Sequence, residues 1–250
     1  MSTYDELIEK AASEILNSKN TVALTGAGIS VESGIATFRG AGGLWEKYDP
    51  EEYAHIAKLR SNPERAWILF KEMIETIRKG EPNPAHIALA KLEEMGLLSV
   101  IITQNVDNLH QDAGSKHVIE FHGNTINLSC MECGKKYLAS AISLDEIPPL
   151  CACNGVLRPD AVLFGEAIPF DELVESRKAA ETSDLMLVIG TTALIQPAAS
   201  MPLIAKENGA KIIEINPEES VLTCIADIFI RGRSARVLSD ILRKVEENVG

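Results

Sequence analysis

The sequence predicts an α/β fold, a Rossmann-type doubly wound parallel sheet with a smaller module set into it, and three observations carry the prediction. Continuous apolar runs TVAL (21–24), LLSVIIT (97–103), LMLVIG (185–190) and KIIEIN (211–216) have the length and β-rich composition of strands buried on both faces. Helical patterns lie before, between and after them, in the β, α, β, α order that builds a parallel sheet. Between 124 and 159 the texture changes to four cysteines, Pro148, Pro149 and short polar strands, which reads as an inserted small unit.

Taken in order, residues 5–16 place Leu7, Ile8, Ala11, Ala12, Ile15 and Leu16 on one face of an opening helix. TVAL follows as a short buried strand and runs into a loop holding six of the chain's 17 glycines between Thr25 and Trp45, then a polar stretch to Pro50. Over 63–79, Ala66, Phe70, Met73, Ile74 and Ile77 recur at amphipathic helical spacing. Pro84 suits the first turn of the next helix, which runs to Met95 and is stopped by Gly96. Helical patterns at 170–182, 198–208 and 234–246 complete the alternation, with no internal repeat, low-complexity tract or flexible linker.

With 250 residues, 46% of them hydrophobic, the chain can bury one large core or a large domain carrying an insertion. Its net charge of −12 makes a poor counterion for nucleic acid, so no direct sequence-specific nucleic-acid binding is expected; a basic peptide is a better match. The start has no signal-peptide core and no apolar run reaches the ~18 residues of a membrane span. A cytoplasmic protein without membrane attachment is expected, its five cysteines serving as thiols or metal ligands.

Gly26, Ala27 and Gly28, placed between a strand and a helix start, form the kind of turn whose bare N–H groups face a pyrophosphate. Val31 stands where a third glycine belongs, the next glycine is Gly34, and Glu46, about 20 residues on, lies in no strand. A hydride-transferring dehydrogenase therefore fits poorly, and a glycine-rich loop can also be only a turn. Cys130 and Cys133 form C-x2-C, and after 17 intervening residues Cys151 and Cys153 form C-x-C. Four thiolates close a tetrahedron around Zn²⁺ and leave no open position, so such a metal would be structural; buried or redox cysteines are the other reading. Lys135, Lys136 and Arg158 are too few cations for a nucleic-acid footprint on this module. Cys224, alone in LTCIAD, reads as a small buried apolar residue.

Four predicted strands end in ligand-like groups: the glycine loop, Gln104, Asn105 and Asp107, then Gly190, Thr191 and Thr192, then Asn216. Asp107 can also cap the helix after it. Composition does not rank His55, His86, His110, His117 and His122; His122, in VIEFHGN, can project from a strand end into a cleft or serve as a structural histidine.

Together GAGISVESGIATFRG, TQNVDNLH, EFHGN, the four cysteines, LRPDAVLFGE, GTT and EINP resemble, in order and over nearly the full length, the sirtuins, a family of NAD-dependent protein deacylases. The resemblance implies a large Rossmann-like domain of 1–40, 85–123 and 160–250, and a small domain made of a helical insertion, 41–84, and a zinc module, 124–159. It places NAD, a consumed cosubstrate, along Gly26, Ala27, Gly28, Ser30, Ile35, Phe38, Arg39 and Trp45, then Gln104, Asn105 and Asp107, then Gly190, Thr191, Thr192, Asn216 and Ser234. His122 matches the general base, with Asn105 beside the reacting ribose; Val162, Leu163, Phe164, Gly165 and Glu166 would hold the acyl-lysine strand; the four cysteines would hold one structural Zn²⁺. The implied reaction moves the acetyl group of acetyl-lysine proteins or peptides to ADP-ribose and releases nicotinamide. Mono-ADP-ribosyl transfer and a catalytically silent NAD-sensing or zinc-ribbon binding protein are the rival readings.

The chain departs from the family at Ala36, where proline is usual, and at GTT in place of GTS or GSS. Sirtuins that prefer succinyl or malonyl lysine resemble one another in a Tyr-x-x-Arg pair where this chain has Phe70 and Met73. An apolar pair cannot bind an acyl carboxylate, so acetyl or longer uncharged groups are expected, whether or not the two residues also serve the helix core.

Overall fold

The computed structural model describes residues 2–40 and 42–249. Met1, Ala41 and Gly250, which fall on the outer bounds, the cofactor loop and the start of the 41–84 insertion expected above, lie outside the described residues.

Helix α1 (Tyr4–Asn17) starts at a capping box in which the Thr3 hydroxyl accepts the Glu6 N–H and the Glu6 carboxylate accepts the Thr3 N–H. It buries Ile8, Ala11, Ala12 and Ile15, as the periodicity predicts. Strand β1 (Thr21–Thr25) is buried throughout and leads through a 3₁₀ segment, Ala27–Ser33, to short helices α2 (Leu44–Lys47), α3 (Pro50–Tyr53) and α4 (Ile56–Ser61). Helices α5 (Pro63–Ile77) and α6 (Pro84–Glu94) follow, each with proline in its first turn and an asparagine cap. Then come β2 (Val100–Thr103), α7 (Leu109–Asp112), β3 (Val118–Glu120), β4 (Gly123–Cys130), β5 (Lys136–Leu138) and β6 (Leu157–Ala161). The chain ends with α8 (Phe170–Thr182), β7 (Leu185–Ile189), α9 (Met201–Glu207), β8 (Lys211–Asn216), β9 (Ile228–Arg231) and α10 (Ser234–Val249).

The main sheet has the order β3-β2-β1-β7-β8-β9, with every neighbouring pair parallel. From β1 the chain builds outward first on one side and then, through β7, on the other. The carboxyl ends of β1 and β7 thus flank the switch point at which such sheets bind ligands. One face of the sheet packs on α1, α6 and α10 through residues such as Ile15, Leu89 and Ile241; the other packs on α8 and α9 through Ala180, Met201 and Ala205. A separate core joins α5 to the three-stranded antiparallel sheet β5-β4-β6. Trp67, fully buried, bridges them by donating its indole N–H to the Leu157 carbonyl at 2.8 Å.

The differences from the sequence reading have local causes. The 97–103 run pairs as a strand only from Val100, because Gly96 at φ +73° turns the chain and the Leu97 and Leu98 N–H groups still close α6 on the Leu92 carbonyl. The 198–208 helix opens as a 3₁₀ turn at Ala198–Ser200, and α9 begins with Pro202 in its first turn. Strand β3 is the short VIE segment before His122, and β9 does not read as a strand because only Ile228 and Ile230 of IFIR are buried, so it shows no run buried on both faces. Cys224 is exposed, not buried: it lies in a succession of turns after β8, where its neighbours Leu222 and Ile225 take the inward positions.

Candidate active site

A cavity of about 760 Å³ opens between the carboxyl edge of the main sheet and the small module, and a side pocket of about 120 Å³ continues from it. The glycine loop meets the end of β7 at one wall. The Gly26 N–H donates to the Ile189 carbonyl and the Gly28 N–H to the Gly190 carbonyl, so the two strand ends are bonded to each other at the switch point. Gly26 and Gly28 are needed for this close approach and also line the cavity with bare backbone. Asn83, which caps α6, steadies the next turn by donating to the Ile29 carbonyl and the Ser33 hydroxyl.

The sequence-predicted residues converge on these two spaces. Ala27, Phe38, Arg39, Trp45, Gln104, Asn105, His122, Thr191, Thr192, Asn216 and Ser234 line the large cavity, as do Val162 to Glu166; Ser30, Ile35 and Asp107 line the side pocket, which Asn105 also reaches. Ala36 belongs to the side pocket as well. Ser30 is fully buried and donates its hydroxyl to Asp107 Oδ2 at 2.6 Å while accepting from Asn105 Nδ2 at 3.1 Å. Asp107 Oδ1 accepts the Leu109 N–H, the first of α7, from the residue before the N-cap Asn108. Burial raises the Asp107 carboxyl above its ordinary range, against the opposing hydrogen bonds from Ser30 and Leu109.

The structure ranks the histidines. His86 and His110 are buried with their rings 4.9 Å apart; burial lowers His86 to about 4, and burial with the His86 neighbour lowers His110 to about 3. His55 caps α4 and exposed His117 binds the Glu93 carboxylate. His122 alone of the five lines the cavity. Its Nδ1 lies 3.0 Å from the Gln104 carbonyl oxygen, which can only accept, so Nδ1 carries the proton and Nε2 keeps its lone pair. Burial lowers this imidazole below its ordinary value, opposed by the Gln104 hydrogen bond.

Opposite His122, the Val162 N–H donates to the His122 carbonyl, and Phe164 exchanges hydrogen bonds with Ala54 and Ile56. Glu166 turns its carboxylate inward, taking both Arg158 terminal nitrogens at 2.6 and 2.7 Å and the Leu163 N–H at 2.9 Å. Burial would raise the Glu166 carboxyl, but Arg158 and the Leu163 N–H hold it below its ordinary range. Its side chain therefore clamps the 163–166 turn. Residues the sequence reading missed also line the cavity, among them Ala54, Ile195, Gln196, Glu218 and Arg233. Ile195 and Gln196 lie two residues beyond GTT, after Ala193 and Leu194, and Glu218 follows EINP, so extending each strand-end motif downstream would have found them.

Outside the cavity, the four cysteine sulfurs lie within 4.8 Å of one another, with Cys130 to Cys153 at 3.5 Å and Cys133 to Cys151 at 3.6 Å. Tetrahedral Zn²⁺ with Zn–S near 2.3 Å sets sulfurs about 3.8 Å apart, close to these values. A Cβ on Gly155 would stand 2.6 Å from Cys130 Sγ, so the knuckle excludes a side chain there. The Cys153 N–H and then the Tyr137 hydroxyl lower the Cys151 thiol to about 6, while at Cys153 the Gly155 N–H is outweighed by the neighbouring sulfurs, which push that thiol up to about 12, as crowding four sulfurs together without a cation requires. The donor set fits a closed Zn²⁺ site.

Comparison with known proteins agrees with this geometry. The model of the Sir2 family matches residues 26–197. The NAD-dependent protein deacylase of Pyrococcus abyssi is 47% identical over 96% of this chain and 98% of its own. A Sir2 homologue solved with NAD superposes with a TM-score of 0.90 at 44% identity, covering 97% of this chain and 95% of that one. A Sir2 variant holding a deacetylated p53 peptide and 3′-O-acetyl-ADP-ribose gives a TM-score of 0.89 at 38% identity, over 96% and 98% of the two chains. On the matched family model, the near-complete coverage by these relatives and the shared architecture, the chain belongs to the Sir2 family.

Proposed function

We propose that this protein is an NAD-dependent protein-lysine deacetylase whose acyl-lysine strand and NAD meet beside His122. The acyl oxygen of acetyl-lysine bonds to the ribose carbon of NAD as its bond to nicotinamide breaks, a ribose hydroxyl then adds to the acyl carbon, and one water balances release of the lysine amine, leaving O-acetyl-ADP-ribose. Neutral His122, oriented through Nδ1 by the Gln104 carbonyl, accepts a ribose hydroxyl proton at Nε2. Asn105 and Asp107, held by Ser30, present a dry polar wall for nicotinamide at the side pocket. Gly26, Ala27 and Gly28 offer backbone to the pyrophosphate, with Phe38, Arg39 and Trp45 over it, and Gly190, Thr191, Thr192, Asn216 and Ser234 receive the adenosine half. Main-chain groups of Val162 to Glu166 pair with the substrate strand. Cys130, Cys133, Cys151 and Cys153 hold one structural Zn²⁺.

The observation that carries this reading is the His122–Gln104 hydrogen bond, which fixes a basic nitrogen at the cavity. Phe70 and Met73 line the same cavity and support an acetyl or longer uncharged acyl group; Phe70 also belongs to the small core. The separate core supports the division into a large unit of 1–40, 85–123 and 160–250 and a small unit of 41–84 and 124–159. A cytoplasmic location fits a thiolate metal site, and no helix among the described residues is long and apolar enough to cross a membrane. Incubation with an acetyl-lysine peptide and NAD, weighed by mass spectrometry, tests the proposal: one acetyl lost per nicotinamide released supports it. A gain of ADP-ribose on the peptide, or no change in either, overturns it.

A further inference from the structure

Glu214 is a fully buried carboxylate in the middle of β8, on the strand face that also carries Ile212 and Asn216. A buried carboxylate needs donors on both oxygens, and it has them. Oε1 accepts from Asn216 Nδ2 at 3.1 Å, and Oε2 accepts from the Thr223 hydroxyl at 2.5 Å. The second Asn216 Nδ2 hydrogen goes to the Thr191 carbonyl at 2.8 Å. Both amide hydrogens are thus spent on groups that accept, so the amide cannot flip without setting its oxygen against two other oxygens. Asn216 Oδ1 takes no hydrogen bond from the described residues and is not sealed from solvent, and Asn216 lines the large cavity. The surface offered to a ligand at this point is an acceptor.

The other arm of Glu214 acts on the loop after β8. The Thr223 hydroxyl that it binds also accepts the Ser220 N–H at 2.9 Å, and Ser220 lines the cavity. One carboxylate therefore sets the orientation of Asn216 and ties down the chain that borders it.

We propose that Glu214 is a positioning residue for the cosubstrate: it locks the Asn216 amide with its oxygen toward the cavity, so that this end of the site selects a nucleoside whose ribose hydroxyls donate. The inference rests on the deacetylase reading, since it takes the adenosine half of NAD to lie against Asn216. A site built around a committed acceptor discriminates against a ligand that lacks the donor, because the desolvated oxygen is then left unpaired.

Calorimetry on zinc-loaded protein, with NAD and with its 2′,3′-dideoxyadenosine analogue, tests it in the wild type, Glu214→Met and Glu214→Gln. If the wild type binds neither nucleotide, the deacetylase reading falls before Glu214 is at issue. The wild type should prefer NAD on the order of 10- to 100-fold, and Glu214→Met, folded by thermal melting, should keep less than about threefold of that preference. Its KM for NAD should rise while kcat at saturating NAD and the peptide KM hold, a split that a general loss of fold would not give. A wild type without the preference, or a folded Glu214→Met that retains it, overturns the proposal. Should Glu214→Met fail to fold, Glu214→Gln decides: its amide oxygen can still accept from Asn216 while the Thr223 hydroxyl turns to accept from its nitrogen. Retained preference in that variant supports the proposal and loss of it in folded protein overturns it.

Discussion

Gly28 and Gly190 occupy each other's side-chain space. The Gly28 N–H donates to the Gly190 carbonyl at 2.8 Å, a Cβ on Gly28 would stand 2.7 Å from Gly190 Cα, and a Cβ on Gly190 would stand 2.5 Å from the Ile29 nitrogen. The loop that faces the cavity is therefore set by contact between the ends of β1 and β7.

Gly190→Ala should destabilise the protein by on the order of 1–3 kcal/mol and weaken NAD binding, because backbone must shift at both strand ends. Gly209→Ala is the matched control: it also has positive φ, +92°, but nothing lies within 4 Å of its Cβ. Thermal melting and calorimetry on both variants separate crowding from φ strain, and equal losses in the two would remove the packing argument.

His122→Ala should lower kcat by about 10²- to 10⁴-fold, the range for loss of a general base, while NAD affinity stays near that of the wild type. Steady-state kinetics beside calorimetry checks this; undiminished turnover would take the base role from His122.

His86 and His110 are held well below the ordinary histidine value of 6.5, at about 4 and about 3. The unfolded chain then binds protons more readily than the folded one. Their contribution is fully present above 6.5 and is lost as pH falls toward those lower values. Between pH 7 and 5 the loss should be on the order of 2 kcal/mol per ring, and His110→Gln should flatten the fall in melting temperature. An unchanged slope in that variant would contradict the assignment.

Cys151→Ala should release zinc and lower the melting temperature, since Cys130 and Cys151 belong to the same core as Trp67 and Phe70. Because that core also supports the cavity wall, peptide turnover should fall with the metal. Zinc analysis and melting curves on wild type and variant check it; a variant that holds one zinc per chain would refute it.

Phe70→Tyr combined with Met73→Arg should admit a succinyl-lysine peptide and reduce acetyl-lysine turnover, by placing a cation and a hydroxyl in an apolar wall. Competing the two peptides and measuring kcat/KM for each gives the answer; an unaltered ratio would show that these residues do not read the acyl group.

By itself the sequence determined the strand runs, the glycine turn after β1, the paired cysteine knuckles and the polar groups at four strand ends. These follow from hydrophobic periodicity and chain geometry over a few residues, and sequence displays both directly. Composition and spacing did not rank the histidines, and only the family resemblance pointed to His122; the physical reason lies in the Gln104 carbonyl facing His122 and the burial of His86 and His110. Nor did the sequence show that Glu166 turns to Arg158, that Ser30 spends its hydroxyl on Asp107, or that Cys224 is exposed. Protonation, amide orientation and exposure are set by which groups share a desolvated space, and only folding brings residues as distant as Gly28 and Gly190, or Asn216 and Thr191, within hydrogen-bonding reach.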